Sequence, residues 1–480
     1  MQGSFPNPEP RGVFAVDLDE TLIQTDLLYE RLLLLCRLSP LRLFQIPWFL
    51  LLGKLRFKKW IFSKVEIDFS MLPYRAEVLE KVRLARQRGE TTLLLSASLQ
   101  EDVDQVMRHL KLFDQGVGSR HENFKGAAKT KYLESHYLNN NVTYVGDSES
   151  DFPVWKHGHK IIAVNPHPRL MKKIQSLQKP VEFICDSEKV FGLILKQLRV
   201  HQWVKNILVF IPVFSAHRFN DILPWIASLR GFFAFSFLAS AVYVFNDLCD
   251  LKTDRVQEAK KHRPLASGRL PLKLGMALVP VCLVLGGVVS LGLPSQMLMI
   301  LGGYLLMNVV YSFWVKEWLA LDVVFLAIFY ALRVLVGGAA SMTPVSEWLL
   351  SFSIFFFSGL AMVKRFSEIK KQPHLSVAGR SGRRAYEHQD LMTVLVMGIT
   401  TSIVSILVLA LYLSTGEVQK LYRNSGVLWL VTPLLLYWFN RLWLLGARGE
   451  ISEDPVLFAI KDKVTWGVVF MVLCLIIKAI

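Results

Sequence analysis

Hydrophobic and polar positions follow two different rhythms along this chain of 480 residues. Over residues 1–195, short apolar runs alternate with amphipathic stretches. The runs at 13–16, 92–95, 142–145, 160–164 and 181–184 have the length of strands, and each is bounded by polar residues. At 77–88, 101–110 and 126–137 apolar residues recur every three to four positions, the period of a half-buried helix. Strands alternating with helices predict a parallel α/β sheet. From about 203 onward the rhythm changes to long apolar stretches divided by short basic loops. These predict an all-α bundle of nine membrane spans, at about 203–217, 226–246, 274–293, 296–314, 320–341, 347–363, 391–413, 426–443 and 464–480. The first is short and suits a tilted or interfacial segment.

Charge gives the bundle an orientation. The loop 248–273 holds seven Lys and Arg, and the loop 364–390 another seven, among them Arg380, Arg383 and Arg384, which are read as topology and headgroup contacts. The links 294–295 and 342–346 have none. The positive-inside rule then places the N-terminus and every charged motif on the cytoplasmic side and the C-terminus outside. A net charge of +16 follows from such loops and from anionic lipids or phosphorylated substrates, so it does not imply nucleic acid. Five scattered cysteines show neither metal spacing nor a disulfide pattern. The first thirty residues carry Asp17, Asp19, Glu20 and Asp26, which argues against a signal peptide.

The most specific chemistry lies where the second span ends, in Asn246-Asp247-Leu-Cys-Asp250-Leu-Lys-Thr-Asp254. On a continuous helix the three aspartates share one face. Like charges at a membrane edge call for a hard cation, and Mg²⁺ shares its shell readily with phosphate oxygens, so a magnesium–diphosphate site is expected. Other charged groups on the same side are Tyr311 and Lys316 after span four, Asp322 and Arg333 in span five, Lys364, Arg365 and Glu368 after span six, and Asp454 and Asp462 before span nine. Arg333 should face the bundle interior or a phosphate, because lipid would reject it.

With His262-Arg263-Pro264-Leu265-Ala266-Ser267-Gly268 following, this aspartate motif resembles the UbiA prenyltransferase superfamily. Leu198-Arg199-x-x-Gln202-Trp203-Val204-Lys205-Asn206, Leu332-Arg333 through Gly338, Lys364-Arg365-Phe366-Ser367-Glu368 and Asp454-Pro455-Val456-x-Phe458-Ala459 resemble its decaprenyl-phosphate phosphoribosyltransferase branch. The resemblance covers about 196–480. It implies transfer from phosphoribosyl diphosphate to a polyprenyl phosphate, with Mg²⁺ on Asn246, Asp247, Asp250 and Asp254. Lys205, Arg263, Lys316, Arg333, Lys364 and Arg365 would be phosphate clamps. Asn206, Tyr311, Asp322, Glu368, Asp454 and Asp462 are further candidates, the last two for the ribose or a second metal. The second acidic motif of typical superfamily members is missing after span six, where Lys364, Arg365 and Glu368 stand instead. That favours a phosphorylated sugar donor over a prenyl diphosphate.

In the first half, each of three strands delivers polar residues to the carboxyl edge, where open α/β sheets bind ligands. They are Asp17-Leu-Asp19-Glu-Thr21, Ser96-Ala-Ser98 and Gly146-Asp147-Ser-Glu-Ser-Asp151, with Lys125 between the last two. This ordered set resembles the haloacid dehalogenase (HAD) type of phosphatase, a Rossmann-like sheet with a helical cap. The resemblance implies Asp17 as nucleophile, Asp19 as general acid and base, Ser96 and Lys125 as phosphoryl ligands with Lys129 as the alternative lysine, and Mg²⁺ on Asp17, Asp147 and Asp151. The insert at about 27–64 occupies the place of the cap. It contains Leu32–Leu35, then Phe44, Trp48 and Phe49 among leucines, then Lys54, Arg56, Lys58 and Lys59. It is read either as a cap with its own apolar packing or as a segment dipping into the bilayer surface. It is too short, and too interrupted by Pro40 and Pro47, for a span.

The expected organisation is therefore a HAD-like phosphatase domain at 1–195 and a UbiA-like membrane transferase domain at 196–480. The resemblances imply a bacterial inner-membrane protein with both sites cytoplasmic, whose partners are the sugar donor, the lipid phosphate and the bilayer. Self-association into a homo-oligomer is compatible with this. The expected activity is synthesis of a lipid-linked 5-phosphoribose followed by its dephosphorylation. The alternative is a prenyltransferase acting on an aromatic or other small acceptor beside an independent or regulatory HAD domain.

Overall fold

The computed structural model describes residues 12–137, 141–186, 188–371, 386–451 and 454–480. Arg380, Arg383 and Arg384 lie outside them. The chain divides into two compact units. One comprises Met1–Leu198 together with Tyr243–Leu278, the other Arg199–Val242 together with Val279–Ile480. The boundary expected near 195 is thus crossed: the aspartate motif and the basic loop after it group with the N-terminal unit.

The core of the first unit is a parallel six-stranded sheet. Its strands are β1 (Val13–Val16), β2 (Thr91–Leu99), β3 (Gln115–Ser119), β4 (Val142–Gly146), β5 (Lys160–Val164) and β6 (Val181–Ile184), in the order β3-β2-β1-β4-β5-β6. β3 has little apolar content and escaped the sequence reading; the other five strands coincide with the expected runs. The helices Ala76–Gln87, Gln100–Leu110 and Ala127–Tyr137 fall within a residue of expectation. Phe14, Val16, Leu94, Val145, Ile162 and Val164 face one buried layer, and Val13, Ala15, Leu93, Tyr144 and Ile161 face the other. Both faces of a parallel sheet are covered, so its central strands read as unbroken apolar runs and not as alternation. The winding reverses between β1 and β4, which makes a crevice at their carboxyl ends.

The insert folds as a helix Leu27–Leu38, a 3₁₀ turn Pro40–Gln45, a short helix Ile46–Leu51 and a helix Lys54–Phe62. Leu35, Phe57, Trp60, Ile61 and Val65 form a small core of its own. The cap is therefore an independently packed element.

Seven helices among the described residues are long and apolar enough to cross a membrane: Ile222–Cys249, Leu272–Ser290, Ser295–Phe313, Leu321–Ser341, Glu347–Lys371, His388–Leu413 and Ser425–Arg448. Of the expected nine, seven are recovered by length and apolarity, and the short first and last segments fall below that length. The predicted first span is a 3₁₀ stretch, Val200–Phe210, followed by one turn of helix, Ile211–Ser215, with Pro212 in its first turn. The predicted ninth is a helix of 17 residues, Lys463–Ala479, at the lower limit for crossing. The 3₁₀ stretch lies close against the helix Leu321–Ser341 because Gly337 has no side chain: a Cβ there would stand 1.9 Å from the Val209 carbonyl oxygen.

Arg365, expected to clamp a phosphate, is buried in the bundle instead. Its Nε donates to Asp322 at 2.6 Å and its Nη1 to Glu368 at 2.8 Å, while the Tyr386 hydroxyl donates to the other Asp322 oxygen at 2.8 Å. The three residues Arg365, Asp322 and Glu368 thus satisfy one another and tie two spans together. Breaking a buried pair by removing one partner leaves an uncompensated charge. Arg365→Met is expected to destabilise the protein by about 3–5 kcal/mol, and Arg365→Met with Asp322→Leu by much less. Thermal unfolding of both variants in nanodiscs checks this; equal loss in the two would contradict it.

Candidate functional site

The sharpest constellation sits at the carboxyl ends of β1, β2 and β4. Asp17 follows β1 directly. The Leu18 N–H donates to its Oδ1 at 2.8 Å, and Lys129 Nζ stands 2.9 Å from the same oxygen. Lys129 also reaches Asp151 Oδ1 at 3.4 Å and the Tyr144 hydroxyl at 2.9 Å. Asp151 is fully buried; its second oxygen accepts from the N–H groups of Ser148 (3.2 Å) and Asp147 (3.3 Å). Gly146 makes room for this, since a Cβ there would lie 2.8 Å from the Asp151 carboxyl. Asp147 accepts from the Thr21 hydroxyl at 3.3 Å.

Asp17, Asp147 and Asp151 offer carboxylate oxygens all within 4.8 Å of one another. Burial pushes the Asp17 carboxyl up to about 7; Lys129 opposes the rise, and Asp151 and Asp19 add to it. Burial, with Asp151 and Asp17, also raises Asp147 well above the ordinary range. Burial would lower Lys129, yet Asp17 and Asp151 hold its ammonium above its ordinary value. One lysine thus faces three crowded carboxyls, and the surplus negative charge and all-oxygen donor set fit a Mg²⁺ ion.

The sign of the pH effect follows. Asp17 moves from 3.8 unfolded to about 7 folded. The native state therefore holds a proton that the unfolded chain gives up between those values, and metal-free stability falls as pH rises through that window. Added Mg²⁺ is expected to raise the unfolding temperature more at pH 8 than at pH 5.5. Asp147→Asn should stabilise the metal-free protein at pH 8 by about 1–2 kcal/mol and erase the Mg²⁺ response. Differential scanning fluorimetry with and without EDTA measures both. An Mg²⁺ response independent of pH would refute the assignment.

Asp19 belongs to the same pocket. Its Oδ2 accepts from the Ser98 hydroxyl at 2.6 Å and from Ser96 at 3.4 Å, and its Oδ1 accepts from the N–H of Leu27, the first residue of the cap helix. Asp26 caps that helix by accepting from the Leu28 N–H. From the other side of the cap, Lys58 on the helix Lys54–Phe62 donates to the Ala97 carbonyl at 2.5 Å. Burial lowers the Lys58 ammonium while nearby Asp19 raises it.

The expected lysine is corrected here. Lys125 is exposed just before the helix Ala127–Tyr137, and Lys129, the third residue of that helix, enters the pocket. Spacing along the chain could not choose between them; the helix phase does. Ser98 and Lys58 were not singled out, although Lys58 lies in a basic run whose helical phase buries one member.

The aspartates at the end of the helix Ile222–Cys249 belong to the first unit as well. The helix breaks at Asp250 and resumes as Leu251–Val256. The backbone bonds from Asp250 N–H to the Asn246 carbonyl and from Asp254 N–H to the Asp250 carbonyl carry across the interruption, so Asp247 and Asp254 stay on a common side while Asp250 turns to another partner. Arg263 Nη1 bridges Asp247 (2.9 Å) and Asp254 (2.6 Å), and Gln197 donates to the second Asp247 oxygen at 2.8 Å. Asp250 turns to Arg37 at the end of the cap helix, 2.6 Å away. Arg255 pairs with Glu30 of the same helix at 2.5 Å. Among the described residues these aspartates do not form a compact metal-ligand group of the kind made by Asp17, Asp147 and Asp151. Their donor set, hard oxygens neutralised by guanidinium groups, has the chemistry for Mg²⁺, with Arg263 standing where a cation is needed.

The second unit holds another cluster. Lys205 Nζ lies 2.6 Å from Asp454 Oδ2 and Lys364 Nζ 3.6 Å from it. Burial would raise the Asp454 carboxyl, but these two lysines hold it down at about 2. Arg333 donates through Nε to Asn206 at 2.8 Å and lies over the Phe235 and Tyr330 rings. Lys205, Lys364 and Asp454 thus form one ion-pair cluster and Arg333 with Asn206 a second pair, and Lys205 and Arg333 both lie over the Tyr330 ring. Tyr311 packs among Phe325 and Phe329. Lys316 lies on a 3₁₀ turn, Val315–Glu317, and Asn246 within the helix Ile222–Cys249. Asp462 departs from expectation: it pairs with Arg441 at 2.7 and 2.9 Å and caps the helix Lys463–Ala479.

The profile of the UbiA prenyltransferase family matches residues 207–467. An uncharacterized protein of Sinorhizobium fredii, y4nM, is 32% identical over 456 residues, covering 94% of this chain and 87% of that one, so the likeness runs through both halves. A decaprenyl-phosphate phosphoribosyltransferase of Mycobacterium tuberculosis is 30% identical over 284 residues, covering 56% of this chain and 88% of that one. Among solved structures, a phosphoserine phosphatase with bound substrate aligns with 37% of this chain and 93% of its own, at 15% identity and a TM-score of 0.27.

Proposed function

Because the chain belongs to the UbiA prenyltransferase family, we propose that it is a bifunctional enzyme of the bacterial inner membrane. Its transferase moves 5-phosphoribose from phosphoribosyl diphosphate to a polyprenyl phosphate, and its N-terminal unit is a HAD-type phosphatase that removes the 5-phosphate from the lipid-linked product. The observation that carries the second half is the pocket in which Asp17, Asp19, Ser96, Lys129, Asp147 and Asp151 converge. The first half draws support from the relative named decaprenyl-phosphate phosphoribosyltransferase, and from the cluster of Lys205, Lys364 and Asp454 with the Arg333–Asn206 pair.

In the transferase, the C1–oxygen bond to diphosphate breaks and a lipid-phosphate oxygen bonds to C1. Lys205 and Lys364, now paired with Asp454, have the charge to hold an incoming phosphate, and Arg263 has the bidentate fork to hold the diphosphate. In the phosphatase, Asp17 attacks the phosphorus and the bond to the ribose 5-oxygen breaks. Asp19, held by Ser98, gives that oxygen a proton. It then takes one from water, which attacks the aspartyl phosphate, releases inorganic phosphate and restores Asp17. Lys129 and Ser96 orient the phosphoryl oxygens. Mg²⁺, when bound at either site, would neutralise charge on phosphate oxygens. By the charge of its loops, the N-terminus and both sites lie on the cytoplasmic side.

The test is direct. The full chain in nanodiscs is given polyprenyl phosphate, labelled phosphoribosyl diphosphate and MgCl₂, and the lipid extract is analysed by mass. Lipid-linked ribose free of its 5-phosphate is expected. Label absent from every lipid, with turnover of a prenyl diphosphate instead, would favour prenyl transfer to a small acceptor.

A further inference from the structure

The cap carries a surface that the phosphatase chemistry does not use. On its outer side Leu41, Phe44, Trp48 and Leu51 are 79, 84, 65 and 83% exposed. They belong to a built element, since Leu43, Ile46 and Phe49 of the same stretch pack inward against Leu35, Phe57 and Trp60. A soluble domain rarely shows so much contiguous apolar surface without an occupant. The charge around it is one-sided: residues 31–65 contain eight Lys and Arg and no Asp or Glu. Arg42, Lys54, Arg56 and Lys59 are exposed beside the apolar face.

We propose that residues 38–59 seat the phosphatase cap in the headgroup region of an anionic bilayer leaflet, with Leu41, Phe44, Trp48 and Leu51 at the acyl boundary and the basic side chains on lipid phosphates. Two short helices separated by prolines cannot cross a membrane, but an apolar–aromatic face with a basic rim matches an interfacial element. Each basic side chain near such a leaflet adds favourable attraction. The same helix, Lys54–Phe62, that carries Arg56 and Lys59 outward sends Lys58 inward to the Ala97 carbonyl beside Asp19. One helix therefore presents one face to lipid and the other to the phosphoryl pocket. The ester this pocket takes is accordingly one borne on a lipid at the membrane surface, with Lys58 meeting its anionic group. This last step rests on the phosphatase reading above; the seating itself does not.

The experiment uses the full chain in nanodiscs containing phosphatidylglycerol, with the photocrosslinker p-benzoylphenylalanine at 44, 48 or 51. Leu84, exposed on the helix Ala76–Gln87, is the control position. Lipid adducts are expected from the three cap positions and not from 84. Adducts to a second copy of the chain, or no lipid adducts, would overturn the proposal. In a second arm, a chain with Phe44→Ser, Trp48→Ser and Leu51→Ser should hydrolyse 4-nitrophenyl phosphate within about twofold of the parent. It should process the chain's own lipid-linked product at least about tenfold more slowly. Equal loss on both substrates would show that the face acts on the pocket and not on lipid, against the proposal. Lipid adducts without dephosphorylation of any lipid-borne ester by the parent chain would refute the substrate assignment and the phosphatase reading together, while leaving the seating supported.

Discussion

An Asp17→Asn chain will make the lipid-linked 5-phosphoribose and then stop, so that the phosphorylated lipid accumulates in place of the dephosphorylated one. Asn is nearly isosteric but cannot form an acyl phosphate, and it withdraws the oxygen that Lys129 holds at 2.9 Å. Loss of a covalent nucleophile lowers phosphatase turnover by about 10⁴-fold or more. The change does not threaten folding: a carboxyl that burial has already raised to about 7 is, if anything, a burden at neutral pH. Asp19→Asn should lose about 10²–10⁴-fold by a different route. It spares the nucleophile and slows both protonation of the leaving oxygen and attack of water. Mass analysis of the lipid extract separates the outcomes. An unchanged product pattern in Asp17→Asn would remove this pocket from the pathway.

Asp254→Asn is expected to have the mirror effect. Asp254 is buried and shares Arg263 with Asp247, so its loss removes a donor-site carboxylate and releases one side of the guanidinium. Transfer of labelled phosphoribose to lipid should fall about 10²–10³-fold, the range seen when one element of a transition-state charge clamp is deleted. Asp247→Asn should match it. Hydrolysis of 4-nitrophenyl phosphate, read on the same preparations, should stay near the parent value, because neither residue touches the phosphatase pocket. Full transfer by Asp254→Asn would show that the motif does not handle the donor.

Much of this was legible in the sequence because it depends on local order. Strand, polar turn and helix follow one another in the N-terminal unit, so Asp17, Ser96 and Asp147 could be placed at strand ends from the runs that precede them. Lys129 was harder: a lysine on a loop and a lysine one helical turn later differ only in helix phase, and the exact start of a helix is the least determinate part of a pattern. Arg365 was misassigned for another reason. A basic residue at the end of a span looks the same whether it meets a phosphate or a carboxylate, and Asp322, which satisfies it, lies 43 positions away. One helical face is the expectation for the aspartate motif; that Asp247 and Asp254 share Arg263 while Asp250 takes Arg37 depends on partners that no periodicity reveals. The first and last expected spans stand apart from the seven long helices because they are short, and apolar composition alone cannot tell an interfacial turn from a crossing.

The cap helix Leu27–Leu38 has a consequence of its own. Its first N–H is bonded to Asp19 and its last turn holds Asp250 through Arg37. Twelve residues of α-helix make a strut about 18 Å long, too short to bend appreciably. A lever clamped at both ends cannot move at one end alone. The strut therefore ties the pocket of Asp17 and Asp19 to the aspartate motif inside one compact unit, although the two lie more than 200 positions apart in the chain.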